Sequence, residues 1–228
     1  MTKIIEKNRI IHALDVEDRE RALKIAFEVR DYVDAIKISY PLVLKCGINI
    51  ISEVKEKSKL PVLACFKIAD IPEISKRIMN VAINAGADGI TVHGIFGRDM
   101  IKECVSTGKR YGVDVFVVTE MSHPGAAELT QQLGEKIALI AKELGATGIV
   151  APATRPDRVT KYRQIVGNTL LIISPGIGPQ GGKIGDAILA GANFEIIGRL
   201  IYDSPDQREA ARRISLELQK RLTGARLY

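Results

Sequence analysis

The amino-acid sequence predicts a (β/α)8 TIM barrel of the α/β class, with residues 1–228 forming one domain. Short runs rich in Val and Ile alternate with longer stretches of helical periodicity, and this alternation occurs eight times. The chain divides into about 28 residues per repeat, the length of one strand, one helix and two short connections. A doubly wound open sheet, the alternative, usually has fewer repeats and a glycine-rich turn after its first strand. Residues 14–17 contain no glycine.

The predicted strands are nearly continuous apolar runs, which is typical of a parallel sheet covered on both faces. In chain order they span residues 10–14, 35–38, 62–66, 89–92, 115–118, 148–150, 170–173 and 195–197. The predicted helices follow them at 18–30, 42–57, 72–85, 98–111, 129–144, 156–166, 183–190 and 205–222. Pro72, Pro156 and Pro205 stand near the start of three of these helices, where a missing N–H costs least.

The composition is that of a folded globular protein, because 46% of the residues are hydrophobic and 26% are charged. No apolar run approaches the roughly 18 residues of a membrane helix, and the N-terminus lacks the apolar core of a signal peptide. We therefore expect a cytoplasmic protein that binds no membrane. The net charge of +6 is spread along the chain, which favours a small anion over nucleic acid as partner. Cys46, Cys65 and Cys104 form no CxxC motif, so we expect neither a disulfide framework nor a structural metal.

The loop after the seventh strand predicts a phosphate site. Residues 174–183 read Ser-Pro-Gly-Ile-Gly-Pro-Gln-Gly-Gly-Lys and precede a predicted helix. Glycine N–H groups can approach an anion closely, and a helix N-terminus adds a favourable dipole. TIM barrels often bind phosphate between the loops after strands 7 and 8, and Arg199 follows strand 8. The sequence therefore predicts a phosphorylated small substrate.

Charged residues also cluster at the ends of the first three strands. Asp15 follows strand 1, Lys37 lies in strand 2, and Lys67 and Asp70 follow strand 3. Cys65 and Lys67 are two residues apart, so a strand points both to the same side. A lysine held in a dry pocket can stabilise a carbanion and then protonate it.

These segments together resemble orotidine 5'-monophosphate decarboxylase, most closely its short archaeal form, over nearly the whole chain. The resemblance rests on residues 13–15, 36–41, 66–72, 92–94, 119–125, 174–178, 180–182, 197–199 and 201–202. Its specific parts are Met-Ser-His-Pro-Gly at 121–125 and Gln-Gly-Gly at 180–182. It implies an enzyme of pyrimidine biosynthesis that converts orotidine 5'-monophosphate (OMP) to uridine 5'-monophosphate (UMP) without a cofactor or metal.

The resemblance also implies a role for each candidate residue. Lys67 would donate the proton to C6 of the pyrimidine, while Lys37 and Asp15 would hold the ribose side. Ser122 would bind the pyrimidine amide, and Gln180 would bridge the base and the phosphate.

The other implied substrate contacts form three groups. The contacts to the phosphate would be Pro175, Gly176, Gly181, Gly198 and Arg199. His93 would lie near the base, and Ile74 would lie near the partner's ribose. Asp70 and Ile71 would reach into the site of a partner subunit. The resemblance therefore implies a homodimer.

The chain departs from this family at two positions near the third strand. The family pattern is Asp-x-Lys-x-x-Asp, whereas residues 65–70 read Cys-Phe-Lys-Ile-Ala-Asp. The missing carboxylate would belong to a neutral tetrad of two lysines and two aspartates, so Cys65 makes this tetrad net positive. We expect anion binding to survive and turnover to fall by about 10²-fold or more. Ile74 stands where archaeal relatives generally carry Thr, which removes a hydroxyl near the partner's ribose.

Cys65 leaves several interpretations open. A thiolate or a sulfinic acid there would partly restore the missing negative charge, whereas a neutral thiol would only fill space. The chain is compatible with an engineered variant and with a natural relative that decarboxylates poorly. Two other functions are a non-catalytic protein that binds uridine nucleotides and a ketose-phosphate decarboxylase or aldolase of the same superfamily. The second would hold Mg²⁺ with acidic residues where Lys37 and Cys65 stand.

Overall fold

The computed structural model describes residues 2–225. Eight parallel strands pair in chain order and β8 closes on β1, which confirms the predicted barrel. The strands are β1 (Ile10–Ala13), β2 (Ala35–Ile38), β3 (Val62–Ile68), β4 (Gly89–His93), β5 (Asp114–Val118), β6 (Gly148–Val150), β7 (Leu171–Pro175) and β8 (Phe194–Ile197). The α-helices are α1 (Arg19–Val29), α2 (Tyr40–Cys46), α3 (Ile50–Ser58), α4 (Pro72–Asn84), α5 (Arg98–Tyr111), α6 (Thr130–Leu144), α7 (Pro156–Val166), α8 (Asp186–Leu189), α9 (Arg199–Tyr202) and α10 (Gln207–Ala225). No helix within residues 2–225 is long and apolar enough to cross a membrane.

The largest differences from the predicted elements concern helices. The helix predicted at 42–57 is divided into α2 and α3, because Gly47 ends α2 with a φ of 83°. The helix predicted at 183–190 shortens to the single turn of α8. The short helix α9, which begins at Arg199, was not predicted. The third strand extends to Ile68 instead of ending at residue 66.

Two apolar layers line the two faces of the sheet. The inner layer contains the fully buried Leu63, Phe116 and Phe194, which fill the barrel interior. The outer layer packs between the strands and the helices. Strand alternation turns Ala35 into the inner layer and Ile36 into the outer one. Because Lys37 is two residues beyond Ala35, its side chain enters the barrel.

The first residues of the chain close the N-terminal end of the barrel. The carboxylate of Asp34 accepts the backbone N–H groups of Lys7 at 3.1 Å, Asn8 at 2.9 Å and Arg9 at 2.7 Å. Ile4 is 3% exposed and packs into the inner apolar layer. The open end is therefore the one at which the strands finish, where TIM barrels place their chemistry.

Candidate active site

A cavity of about 710 Å³ opens at the C-terminal end of the barrel. Every strand contributes at least one residue to its wall: Ala13, Lys37, Cys65, Lys67, Thr91, Val118, Val150, Pro175 and Ile196. Loops after the strands add Asp15, Ser122, Gln180, Gly198 and Arg199, among others. The volume suits a small ligand such as a nucleotide.

Lys37 and Asp15 form an ion pair on one wall. Lys37 Nζ donates to the two carboxylate oxygens of Asp15 at 2.9 and 3.1 Å, and Ser39 Oγ also donates to Asp15. Burial acts to raise the pKa of Asp15, but the Lys37 charge and the Ser39 hydrogen bond hold it below its ordinary value. Burial acts to lower the pKa of Lys37, but electrostatic interactions with Cys65 and Asp15 raise it overall. Both groups are therefore charged at neutral pH.

Lys67 has a backbone conformation that residues with a side chain seldom adopt. Its φ is 44°, in the left-handed region. The register between β3 and β4 shifts between Ala64 and Ile68, where β3 contains two more residues than β4. The Lys67 N–H donates to Thr91 Oγ1 at 2.8 Å instead of joining the ladder. This bulge places the Lys67 side chain in the cavity wall.

Cys65 lies beside this lysine. Its sulfur is 3.7 Å from Lys67 Nζ, and the residue is 8% exposed. We define Asp15, Lys37, Cys65 and Lys67 as the charged cluster. The cluster contains two ammonium groups and one carboxylate, so it carries an excess positive charge whenever Cys65 is a neutral thiol. An anionic substrate group is therefore attracted to this wall.

The opposite wall comes from the loops that follow β5 and β7, because these strands face β1 and β3 across the barrel. Ser122 Oγ donates to Gln180 Oε1 at 2.7 Å. Gly176 permits this close approach of the two loops. Its φ is 116°, and a Cβ there would lie 2.9 Å from Thr154 Cγ2 and 3.4 Å from Ser122 Cβ. Pro175, the last residue of β7, also lines the cavity.

Arg199 supplies a third basic group at the rim. It is the first residue of α9, its side chain is exposed, and it forms no ion pair with any residue from 2 to 225. Gly198, which precedes it, packs closely on β1, since a Cβ there would lie 3.3 Å from Ala13 Cβ. Arg199 is thus able to bind an anionic group that enters between the loops after β7 and β8.

Five predicted site residues do not line this cavity. Asp70 precedes α4, where its Oδ1 accepts the N–H of Ile71 at 2.7 Å. Ile71 and Ile74 are 63% and 36% exposed. His93 is half-buried, and burial together with Lys67 lowers its pKa. Gly181 is exposed, with a φ of 103°.

Comparison with known proteins identifies the family. A sequence model of the orotidine 5'-phosphate decarboxylase / HUMPS family matches residues 8–214. The chain belongs to this family. It is 53% identical to the orotidine 5'-phosphate decarboxylase of Methanosarcina barkeri over 214 residues, which cover 94% of this chain and 96% of that protein.

Solved structures of archaeal members of the orotidine 5'-phosphate decarboxylase / HUMPS family have the same fold. The enzyme of Methanocaldococcus jannaschii complexed with the inhibitor BMP superposes with a TM-score of 0.88 at 44% identity, covering 92% of this chain and 98% of that one. The orotidine 5'-monophosphate decarboxylase of Sulfolobus solfataricus superposes with a TM-score of 0.85 at 30% identity, covering 95% and 100%.

Five polar residues of this family member line the cavity but were not among the predicted site residues: Ser39, Thr91, Glu120, His123 and Tyr202. Ser39 is two residues beyond Lys37, so strand alternation could have indicated its direction. The hydroxyl of Thr91 binds the Lys67 N–H only because β3 bulges. No local pattern in the sequence predicts that contact.

Proposed function

We propose that this protein decarboxylates OMP to UMP in pyrimidine biosynthesis, with Lys67 stabilising and protonating the carbanion at C6. The observation that carries the proposal is the position of Lys67 in the cavity wall, across the barrel from the Ser122–Gln180 pair. Its relatives support this substrate, because proteins 41–54% identical to this chain are orotidine 5'-phosphate decarboxylases.

The phosphate of the nucleotide occupies the rim beside Arg199. Gly176, on the loop after β7, lines this rim, and Gly198 lets α9 approach β1 closely. The Gly181 N–H donates to the carbonyl oxygen of Gly178 at 2.8 Å, so Gly181 contributes to the shape of the loop. The Arg199 guanidinium neutralises the phosphate charge. The bound phosphate anchors the ring against the charged cluster. Binding energy gained at the phosphate therefore lowers the activation barrier at C6.

The chemistry takes place at C6 of the pyrimidine. The bond between C6 and the carboxylate carbon breaks, carbon dioxide leaves, and the electron pair stays on C6 in an orbital outside the ring π system. The Lys67 ammonium stabilises this pair and then transfers one proton to C6. Lys37, held by Asp15, binds the ribose side, and Ser122 binds the pyrimidine amide.

Cys65 makes this member a slow decarboxylase. A carboxylate at position 65 would hold the Lys67 ammonium through a charge-assisted hydrogen bond and would lie beside the substrate carboxylate. A neutral thiol is a weak acceptor and repels no anion. We therefore expect tight binding of the anionic substrate and turnover lowered by about 10²-fold.

The functional unit is a homodimer in which Asp70 and Ile71 complete the partner's site. Asp70 does not line the cavity of its own chain. Exposed apolar side chains lie on the same side of the barrel as Asp70, at Ile71 and Ile74 before and within α4 and at Ile95 and Phe96 after β4. An apolar surface of this kind is typical of an interface between subunits.

Two other functions are less well supported. A ketose-phosphate enzyme of the same family would need acidic metal ligands where Lys37 and Cys65 stand, and residues 2–225 contain no group of three or more His, Cys, Asp or Glu placed to bind a metal. The other alternative is a protein that binds uridine nucleotides without catalysis. The thiol in the charged cluster favours it, because a catalytic carboxylate is missing there.

A decarboxylation assay on OMP decides between these functions. The chain is compared with its Cys65→Asp variant, and Cys46→Ser, on the outer helix α2, is the control. We expect Cys65→Asp to raise kcat by about 10²-fold and Cys46→Ser to leave it unchanged. Saturable UMP binding without turnover in either protein would contradict the proposal and favour the non-catalytic function.

A further inference from the structure

A buried carboxylate that the proposed mechanism does not use lies at the cavity wall. Glu120 is two residues beyond β5 and is fully buried. Its Oε1 accepts from Arg155 Nε at 2.7 Å, and its Oε2 accepts from Arg158 Nε at 2.9 Å and from Tyr162 OH at 2.6 Å. Both oxygens are thus bound by donors from the loop before α7 and from α7 itself. A carboxylate bound in this way orients its partners rigidly.

The same loop holds the backbone of Ser122. Arg155 Nη2 donates to the carbonyl oxygen of Met121, and Thr154 Oγ1 donates to the carbonyl oxygen of Ser122 at 3.1 Å. One guanidinium therefore joins the Glu120 carboxylate to the backbone immediately before Ser122. The Ser122 side chain is then placed to reach Gln180 at 2.7 Å.

We propose that Glu120 is a positioning residue for nucleotide recognition and acts through Arg155 on Ser122. This inference rests on the proposed function, in which Ser122 binds the pyrimidine amide. The Arg155 side chain is 22% exposed, so without the carboxylate its guanidinium turns toward water and releases the Met121 carbonyl. The segment that carries Ser122 then loses its fixed geometry, and a displacement of about 1 Å in such a group costs as much as 10²-fold in rate.

Glu135 offers a matched control on the other side of the network. It accepts from Arg158 Nη1 at 2.7 Å, and its side chain is 52% exposed. Glu135→Gln removes one carboxylate from the same arginine cluster but leaves Arg155 and Met121 connected. Exposed ion pairs contribute little to stability, so this control should match the parent chain in melting temperature and in kcat/KM.

The test is a double-mutant cycle between Glu120→Gln and Ser122→Ala, read as kcat/KM for OMP and as the Kd for UMP by calorimetry. We expect Glu120→Gln alone to lower both kcat/KM and UMP affinity by about 10-fold or more. In the Ser122→Ala background the same change should cost less than about twofold, because the two residues act as one unit. Equal losses in both backgrounds would show a structural role and overturn the inference.

A second variant covers the case in which Glu120→Gln does not fold. Arg155→Met removes the guanidinium that connects Glu120 to Met121, and the cycle with Ser122→Ala should show the same non-additivity. Failure of the proposed function is a separate result, because it appears as absent turnover in every protein, including Cys65→Asp. The UMP affinities then still decide whether Glu120 acts through Ser122.

Discussion

Lys67 Nζ lies 3.7 Å from Cys65 Sγ, so the proposed proton donor contacts a thiol. The two residues share β3, and the bulge between Ala64 and Ile68 sets their relative position. A neutral thiol neither fixes the ammonium as a carboxylate does nor offsets its charge. The chemical state of Cys65 should therefore control the rate of decarboxylation.

Mild oxidation should raise the activity of this chain. One molecule of hydrogen peroxide oxidises the Cys65 thiolate to a sulfenic acid and releases hydroxide, and a second gives the sulfinic acid and water. The sulfinate carries one negative charge shared by two oxygens, as the missing carboxylate beside Lys67 would. We expect kcat to rise in proportion to the Cys65 sulfinate that peptide mass spectrometry detects.

The control for oxidation is Cys65→Ser, which keeps Met121 and the other thiols but cannot form a sulfinate. Its kcat should not rise with peroxide. Cys104 is an internal control, because burial and Glu103 raise the pKa of its thiol to about 12 and it should resist oxidation. Full conversion of Cys65 to the sulfinate with no gain in kcat would contradict the prediction.

Replacing Arg199 should weaken phosphate binding in particular. We expect Arg199→Ala to raise KM for OMP by about 10²-fold, since it removes a charged hydrogen-bonding partner of the phosphate. Orotidine, which lacks the phosphate, is the matched substrate, and its kcat/KM should be the same for both proteins. An equal loss on orotidine would place Arg199 away from the phosphate.

Mixed dimers test whether Asp70 acts in the partner's site. Lys67→Ala and Asp70→Ala should each be nearly inactive alone. After they are unfolded, mixed and refolded together, about a quarter of the sites should combine an intact Lys67 with a partner's intact Asp70. We expect activity of that size to be recovered, relative to a control in which the two variants are refolded separately and only then mixed. No recovery would show that Asp70 serves its own chain.

The buried His12 should make stability depend on pH. Its Nδ1 is 3.0 Å from the Ile197 carbonyl oxygen, and burial lowers its pKa from 6.5 to about 4. Below pH 6.5 the unfolded chain binds a proton that the folded chain does not, so the free energy of unfolding falls as pH drops from 6.5 to about 4. This one residue should account for up to about 3 kcal/mol of that fall.

Urea titrations between pH 7 and pH 4 measure this dependence. His12→Asn retains a donor for the Ile197 carbonyl and should show a smaller fall in the free energy of unfolding. His123→Asn, at an exposed position, is the control and should show the full fall. The same slope in all three proteins would mean that His12 does not carry the effect.

Most of the candidate site could be predicted from local signals. The glycines of residues 176–182 predict the phosphate loop because close backbone approach needs them, and the strand-end positions of Asp15, Lys37 and Lys67 follow from hydrophobic periodicity. The division of the helix at Gly47 and the short α8 were missed. Helical periodicity continues across a glycine, and only the backbone conformation shows where a helix ends.

By itself, the sequence determined the barrel, its open end and the family, because eightfold alternation, glycine spacing and short motifs are properties of neighbouring residues. Only the tertiary structure decided the bulge that presents Lys67, the position of Asp70 outside its own cavity, and the link from Glu120 through Arg155 to the backbone before Ser122. Each of these depends on strand register or on contacts between residues far apart in the chain. Such relations exist only once β3 has paired with β4 and α7 has packed against the loop after β5.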